Sequence, residues 1–207
     1  MLIDMDMIID GDHGAKRTFI FAHGAGGGMD TPFMNVVARG IAAQGIRVAR
    51  FEFPYMAARR KGKKSGAPDR EPVLLDAWRE AIQQLGGGPD ISVGGKSLGG
   101  RMASMVADEQ HVRSLVCFGY PFHPPGAPEK LRTKHLETLK TPALILQGSR
   151  DPFGLPADVK TYRLPKTIRV EWLEDGDHSF KPRVSSGITL DDNLAHAVNL
   201  AAKFING

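Results

Sequence analysis

The sequence predicts an α/β fold: a mostly parallel sheet of at least six strands with helices on both faces. Two observations carry this expectation. Short apolar runs alternate along the chain with stretches of helical period. The glycine-rich polar clusters follow those runs directly, as loops at strand ends do. No internal repeat is visible, and 207 residues suit one domain, 1–207.

Residues 18–22 read as the first buried strand, and His23-Gly24-Ala25-Gly26-Gly27-Gly28 as the loop after it. Thr31-Pro32 then opens a helix, with Thr31 as cap and Phe33, Val36, Val37 and Ile41 as its apolar stripe. Residues 46–51 form the next strand, and 52–70 a long polar and basic connection. A second helix begins near Pro72, with Leu74, Leu75, Trp78, Ile82 and Leu85 at helical spacing; Gly86-Gly87-Gly88 stops it. The strand at 91–93 runs into Gly94-Gly95-Lys96-Ser97-Leu98-Gly99-Gly100, and Met102, Met105 and Val106 mark the core face of the helix after it. Further strands are expected at 114–118, 143–147 and 168–173, with a short helix around 129–138. An amphipathic helix from about Asp191, with Leu190, Leu194, Ala197, Val198, Ala201 and Ile205 as its stripe, completes the chain.

Composition narrows the function classes. Hydrophobic residues at 42% and charged residues at 24% are those of an ordinary globular protein. The first residues carry acids where a secretory leader needs positive charge, and no run approaches the length of a membrane helix. The expectation is a cytoplasmic protein without membrane contact. Its single cysteine, Cys117, lies in an apolar strand and reads as core. The net charge is +4, part of it from Arg59-Arg60-Lys61-Gly62-Lys63-Lys64. No aromatic residue interleaves with that run, which argues against nucleic acid and for a solvated loop.

Gly95-Lys96-Ser97-Leu98-Gly99 fits G-x-S-x-G. Its placement matters more than the pattern. It follows a strand and opens a helix with no spacer, the context in which a sharp turn presents a serine hydroxyl. A hydroxyl is a poor nucleophile until a base takes its proton. His178, in the turn-rich loop after strand 168–173, is the base candidate; His196 falls inside the last amphipathic helix. Asp151, just beyond strand 143–147, is the acid that would orient the imidazole. Asp175 and Asp177 flank His178 and read as loop formers, and Asp158 as a helix-surface residue. The oxyanion formed in acyl transfer needs two aimed donors. Leu98 N–H, at a helix start, is one; Ala25 N–H is the first choice for the other and Gly26 N–H the second. His23 precedes the serine and reads as a brace for that loop.

Rival motifs fail. A P-loop ending at Ser97 would need glycine at position 90, which is Asp90, and a dinucleotide fingerprint from Gly24 would need glycine where Met29 stands. His111, His123 and His135 are scattered and show no metal-ligand spacing. No metal is expected.

Taken together, His23-Gly-Ala-Gly-Gly, Arg50-Phe-Glu-Phe-Pro54-Tyr55, Gly94-Gly-Lys-Ser-Leu-Gly-Gly-Arg101, Gly148-Ser-Arg-Asp151 and Gly176-Asp-His178-Ser-Phe180 resemble the small α/β-hydrolase-like proteins. More narrowly they resemble the group of testis-expressed hydrolase-like proteins and a chromatin acetyltransferase-complex subunit, with dienelactone hydrolases more distant. The resemblance spans about residues 17 to 205. It implies the α/β-hydrolase fold, a triad and oxyanion loop at the positions above, and no cofactor. Residues 119–142 are too few for a full cap domain, so Ser97 is expected in an open cleft. Phe53, Tyr55, Phe122 and Phe153 are candidates to line it or to fill the core. The expected activity is that of a carboxylesterase cleaving short to medium acyl esters, extending to bulky or polymeric ones, with a base titrating near pH 7. Thioesters and lactones, a non-catalytic interaction module, and a binder of acidic polymers are the alternatives.

Overall fold

The computed structural model describes residues 5–63 and 67–207. Seven strands form one sheet: β1 (Met7–Asp10), β2 (Thr18–Ala22), β3 (Arg47–Phe51), β4 (Ile91–Lys96), β5 (Ser114–Phe118), β6 (Ala143–Gly148) and β7 (Ile168–Leu173). Their spatial order is β1-β3-β2-β4-β5-β6-β7. All pairings are parallel except that of β1 with β3. Among the described residues six helices flank the sheet: α1 (Pro32–Ala42), α2 (Pro54–Arg60), α3 (Glu71–Gln84), α4 (Leu98–Val106), α5 (Pro156–Val159) and α6 (Leu190–Asn206). Among the described residues no helix is long and apolar enough to cross a membrane.

The inner strands are apolar at nearly every position because both faces are covered. Successive side chains alternate between two cores. Phe19, Phe21, Val116, Phe118, Leu144 and Leu146 meet α1 and α6 on one face. Ile20, Ala22, Leu115, Cys117, Ala143 and Ile145 meet α3 and α4 on the other. Cys117 is fully buried there, as its strand position predicts. Strand order reverses at β2, whose neighbours are β3 and β4. The crevice beyond the carboxyl ends of β2 and β4 is therefore where an open parallel sheet holds its ligand. No cap is inserted between β5 and β6; residues 119–142 hold one short 3-10 segment, Lys134–Thr138, where a helix over 129–138 is expected.

Three local expectations are corrected. Helix α1 buries Met34, Val37, Ala38 and Ile41, whereas Val36 is 49% exposed. Of the expected stripe, Phe33, Val37 and Ile41 face the core and Val36 does not; Met34 and Ala38 join them as α1 packs on both the sheet and α6. Thr31 sits at the N-cap, but its side chain makes no capping bond. The stretch 52–70 is not all loop, since Pro54 starts the two-turn helix α2. Of the basic run, Arg60 is paired with Glu52 and Asp30, and Lys64 lies outside the described residues.

Strand β1 carries no signal beyond a short apolar run, and its role becomes visible only in three dimensions. Arg50, on β3, is 2% exposed. Its Nε donates to Asp10 Oδ2 at 2.8 Å, and its Nη1 donates to Met29 O and Asn35 Oδ1, both at 2.7 Å. Glu52 accepts from Met29 N at 3.2 Å and is itself clamped by Arg60. The loop after β2 is thus anchored from behind by a buried guanidinium, and β1 supplies the counter-charge. Removing one partner of a buried pair leaves the other uncompensated. Asp10→Ala should cost about 3 kcal/mol of unfolding free energy in a urea titration, whereas a loss no greater than that of an exposed pair would show that Met29 O and Asn35 suffice for Arg50.

Candidate active site

The elbow follows from close packing of β4 and α4 on the end of β2. Ser97 lies between them at φ 49°, ψ −111°, a conformation that L-residues adopt only when their surroundings hold them in it. Side chains on the flanking residues would prevent the approach. A Cβ on Gly95 would sit 2.5 Å from Gly99 C and 2.7 Å from Ala22 O; one on Gly99 would sit 2.5 Å from Ala22 O and 2.6 Å from His23 O. Ser97 N donates to Phe118 O at 3.0 Å, which fixes the turn from the β5 side.

The structure brings Ser97, His178 and Asp151 into one hydrogen-bonded chain. His178 Nε2 is 2.8 Å from Ser97 Oγ, and His178 Nδ1 is 2.7 Å from Asp151 Oδ2. Ser97 comes from β4, Asp151 from the turn after β6, and His178 from the loop after β7, all at carboxyl ends of strands. Asp151 is fully buried. Its Oδ2 also accepts from Gln147 Nε2 at 2.8 Å and its Oδ1 from Phe153 N at 2.9 Å, so the carboxylate is turned towards the imidazole. With Asp151 accepting at Nδ1, Nε2 is left free to accept from the serine hydroxyl. Burial lowers the His178 pKa below 6.5, the Asp151 hydrogen bond opposes that shift, and the Lys96 charge adds to it. The ring is covered by Phe153, whose centroid lies 4.2 Å away.

The histidine loop is built from its own acids. Asp177 Oδ1 accepts from Ser179 N and Lys181 N, while Asp175 binds Arg183 and Arg150. Asn193 on α6 donates to Glu174 O and Phe180 O, tying the loop to the last helix. Asp158 lies on the short α5, and His196 is exposed on α6, both away from the serine.

The loop after β2 faces Ser97. His23, fully buried, hydrogen-bonds Gly24 O through Nδ1 at 2.7 Å and accepts from Phe53 N at 3.1 Å through Nε2. Burial pushes its pKa down and keeps it a neutral brace. Tyr55 Oη donates to Ala25 O at 3.1 Å from below. Ala25 and Gly26 are exposed at the loop tip, beside Ser97, and Leu98 is the first residue of α4. Among the described residues, the N–H groups of Ala25, Gly26 and Leu98 meet no protein acceptor. A cleft of about 350 Å³ opens over Ala25, Gly26, Ser97 and His178, with Phe33, Met34 and Phe153 as apolar walls and Thr31 and Ser179 as polar ones. Of the four aromatics proposed for it, Phe153 is in the wall. Phe53, Tyr55 and Phe122 are core, with exposures of 0, 4 and 0%. The histidines His111, His123 and His135 lie apart, and no three His, Cys, Asp or Glu side chains converge among the described residues.

Sequence reasoning missed three supports of this site: Gln147 behind Asp151, Tyr55 beneath the loop, and the buried Lys96 beside Ser97. For Gln147 a signal existed, because it is a polar residue closing an apolar strand.

The family described as alpha/beta hydrolase domain matches residues 15–206. A solved dienelactone hydrolase from Anabaena variabilis is 21% identical, with a TM-score of 0.70 over 96% of this chain and 89% of its own. An alpha-beta serine hydrolase homologue from Coxiella burnetii is 20% identical, at 0.69 over 95% and 89%. A serine hydrolase without lid from Xanthomonas campestris is 18% identical, at 0.67 over the same shares. At these identities the likeness is one of fold.

Because Gly99 has backbone carbonyls on the side a methyl would occupy, Gly99→Ala should destabilise the protein by about 1–3 kcal/mol in chemical denaturation. An unchanged midpoint would mean that α4 can slide away from β2 without cost.

Proposed function

The chain belongs to the alpha/beta hydrolase domain family, and on that premise we propose that it is a serine hydrolase acting on carboxylic esters through an acyl-enzyme on Ser97. The observation that carries this reading is the unbroken chain from Ser97 Oγ through His178 to Asp151, set at a strained turn beside a loop and a helix start with unengaged N–H groups. A fold maintained only for docking has no physical need of that arrangement. The lysine variant of the elbow at position 96 supports the narrower likeness to the testis-expressed hydrolase-like group.

In the proposed reaction His178 Nε2 takes the Ser97 proton as Oγ attacks the ester carbonyl. The oxyanion accepts from Leu98 N–H and from Ala25 N–H, with Gly26 N–H as the alternative donor. The imidazolium, stabilised by Asp151, returns its proton to the departing alkoxide. Water then attacks the acyl-enzyme with His178 again as base, and Ser97 regains its proton. The cleft accommodates a short to medium acyl chain against Phe33, Met34 and Phe153. With no cap overhead, the alcohol side can be bulky or polymeric.

Labelling with a fluorophosphonate probe, followed by peptide mass spectrometry, should modify Ser97 stoichiometrically in the wild type and largely spare it in His178→Ala. Absence of labelling at neutral and mildly basic pH would replace the hydrolase reading with that of a non-catalytic interaction module. A panel of esters, thioesters and lactones should show esters as the best substrates and tolerance of bulk in the alcohol; a steep fall with each added group would contradict the open cleft.

The pH dependence has a defined sign. The base must be neutral to accept a proton, and its pKa lies below 6.5. The acylation rate should therefore climb with pH through a midpoint below 6.5, rather than near the expected 7. Single-turnover acylation from pH 5 to 7.5 tests this, and a flat profile would count against His178 as base.

A further inference from the structure

Lys96 takes no part in the steps above, yet its environment is unlike that of a surface lysine. It ends β4 next to the nucleophile and is only 9% exposed. Its Nζ donates to the backbone carbonyl of His178. The ammonium also lies 5.5 Å from the ring centroid of Phe33 and 6.0 Å from that of Phe180. A Cβ on Gly119, just after β5, would sit 2.9 Å from Nζ and 3.3 Å from His178 Cε1, so cation and imidazole pack against the same point.

The charges around this group are few. Asp151 acts on it from the end of β6 and Asp177 from the histidine loop. Neither carboxylate forms an ion pair with it among the described residues. The side chains and backbone packed on it from α1, β5 and the Phe180 position are Phe33, Gly119 and Phe180, all uncharged. Burying an ammonium against one carbonyl and two aromatic faces is a costly way to fill space, which a methionine could do without charge.

We propose that Lys96 is a positioning residue for the base: its ammonium pins the His178 carbonyl, so fixing the ring over Ser97, and its charge opposes protonation of the imidazole. This inference rests on the triad reading of the site. The electrostatics agree in sign. Burial lowers the Lys96 pKa to about 8, and the Lys96 charge is one of the causes that lower that of His178. Below pH 8 the cation keeps the base free of its proton, but it also disfavours the imidazolium formed during acyl transfer. Once Lys96 loses its proton, that opposition disappears, while the neutral amine still donates an N–H to the carbonyl. The wild-type rate should therefore show a second rise near pH 8.

The test follows the His178 Cε1–H resonance by NMR and kcat/KM for a neutral ester, both from pH 5 to 9.5, in wild type, Lys96→Met and Lys96→Arg. In Lys96→Met the His178 midpoint should rise by about one unit and the second rise in rate should vanish. Lys96→Arg keeps the charge, so its His178 midpoint should stay lowered, with no second rise up to pH 9.5. An unchanged His178 midpoint in Lys96→Met would overturn the proposal. If that variant does not fold, Lys96→Gln, which removes the charge, takes its place, and an unchanged His178 midpoint there would overturn the proposal equally. The resonance reports on His178 whether or not Ser97 reacts, so failure here is separable from failure of the hydrolase reading, which fluorophosphonate labelling decides.

Discussion

The site depends on the contact between the start of α4 and the end of β2. Ser97 can hold φ 49° only because Gly95 and Gly99 let the turn press against the carbonyls of Ala22 and His23. That contact does two things at once. It lifts the serine hydroxyl out of the sheet, and it brings the loop after β2 level with the first amides of α4. Ser97 and the candidate oxyanion donors are thus placed by one packing constraint. The cost of the strained backbone is met by the two cores above and below the sheet.

The remaining parts of the site are held by polar groups buried behind it. His23, Tyr55, Arg50 and Glu52 support the loop after β2, while Gln147 and the Phe153 amide orient Asp151. Asp175, Asp177 and Asn193 shape the histidine loop. Each occupies a position where an apolar residue would satisfy the core but leave a loop amide or carbonyl without a partner. Many of the buried polar residues thus gather at the carboxyl ends of the strands, where the candidate triad lies.

Much of the architecture was legible because its signals are local. The alternation of buried strands and amphipathic helices placed β2, β5, β7 and α6 to within a residue or so, and the strand–serine–helix context located the elbow. Asp151 and His178 were found by their place after late strands. What the sequence hid is long-range. Strand β1 looks like a featureless apolar start until Arg50 is seen to need Asp10 across 40 positions. The burial of Lys96 depends on Phe33 and Phe180, distant in the chain, and nothing in its neighbours announces it. Helix α2 was obscured by the basic residues that end it. In the stripe of α1 only Val36 was misplaced, and Met34 and Ala38 were missed because two partners, not one, cover that helix.

The absence of a cap bears on timing as well as access. Enzymes with lids often spend their turnover waiting for a loop to open. Here the parts of the cleft sit on strand ends and helix starts, and no described segment between β5 and β6 forms a cap over Ser97. On the proposed reaction, the rate is then left to chemistry and to the arrival of water at the acyl-enzyme, and solvent viscosity has little to act on. The corresponding cost is dielectric. A site open to water cannot rely on excluding it, so in the proposed reaction the amides of Leu98 and Ala25 would carry charge stabilisation that a closed site would share with desolvation.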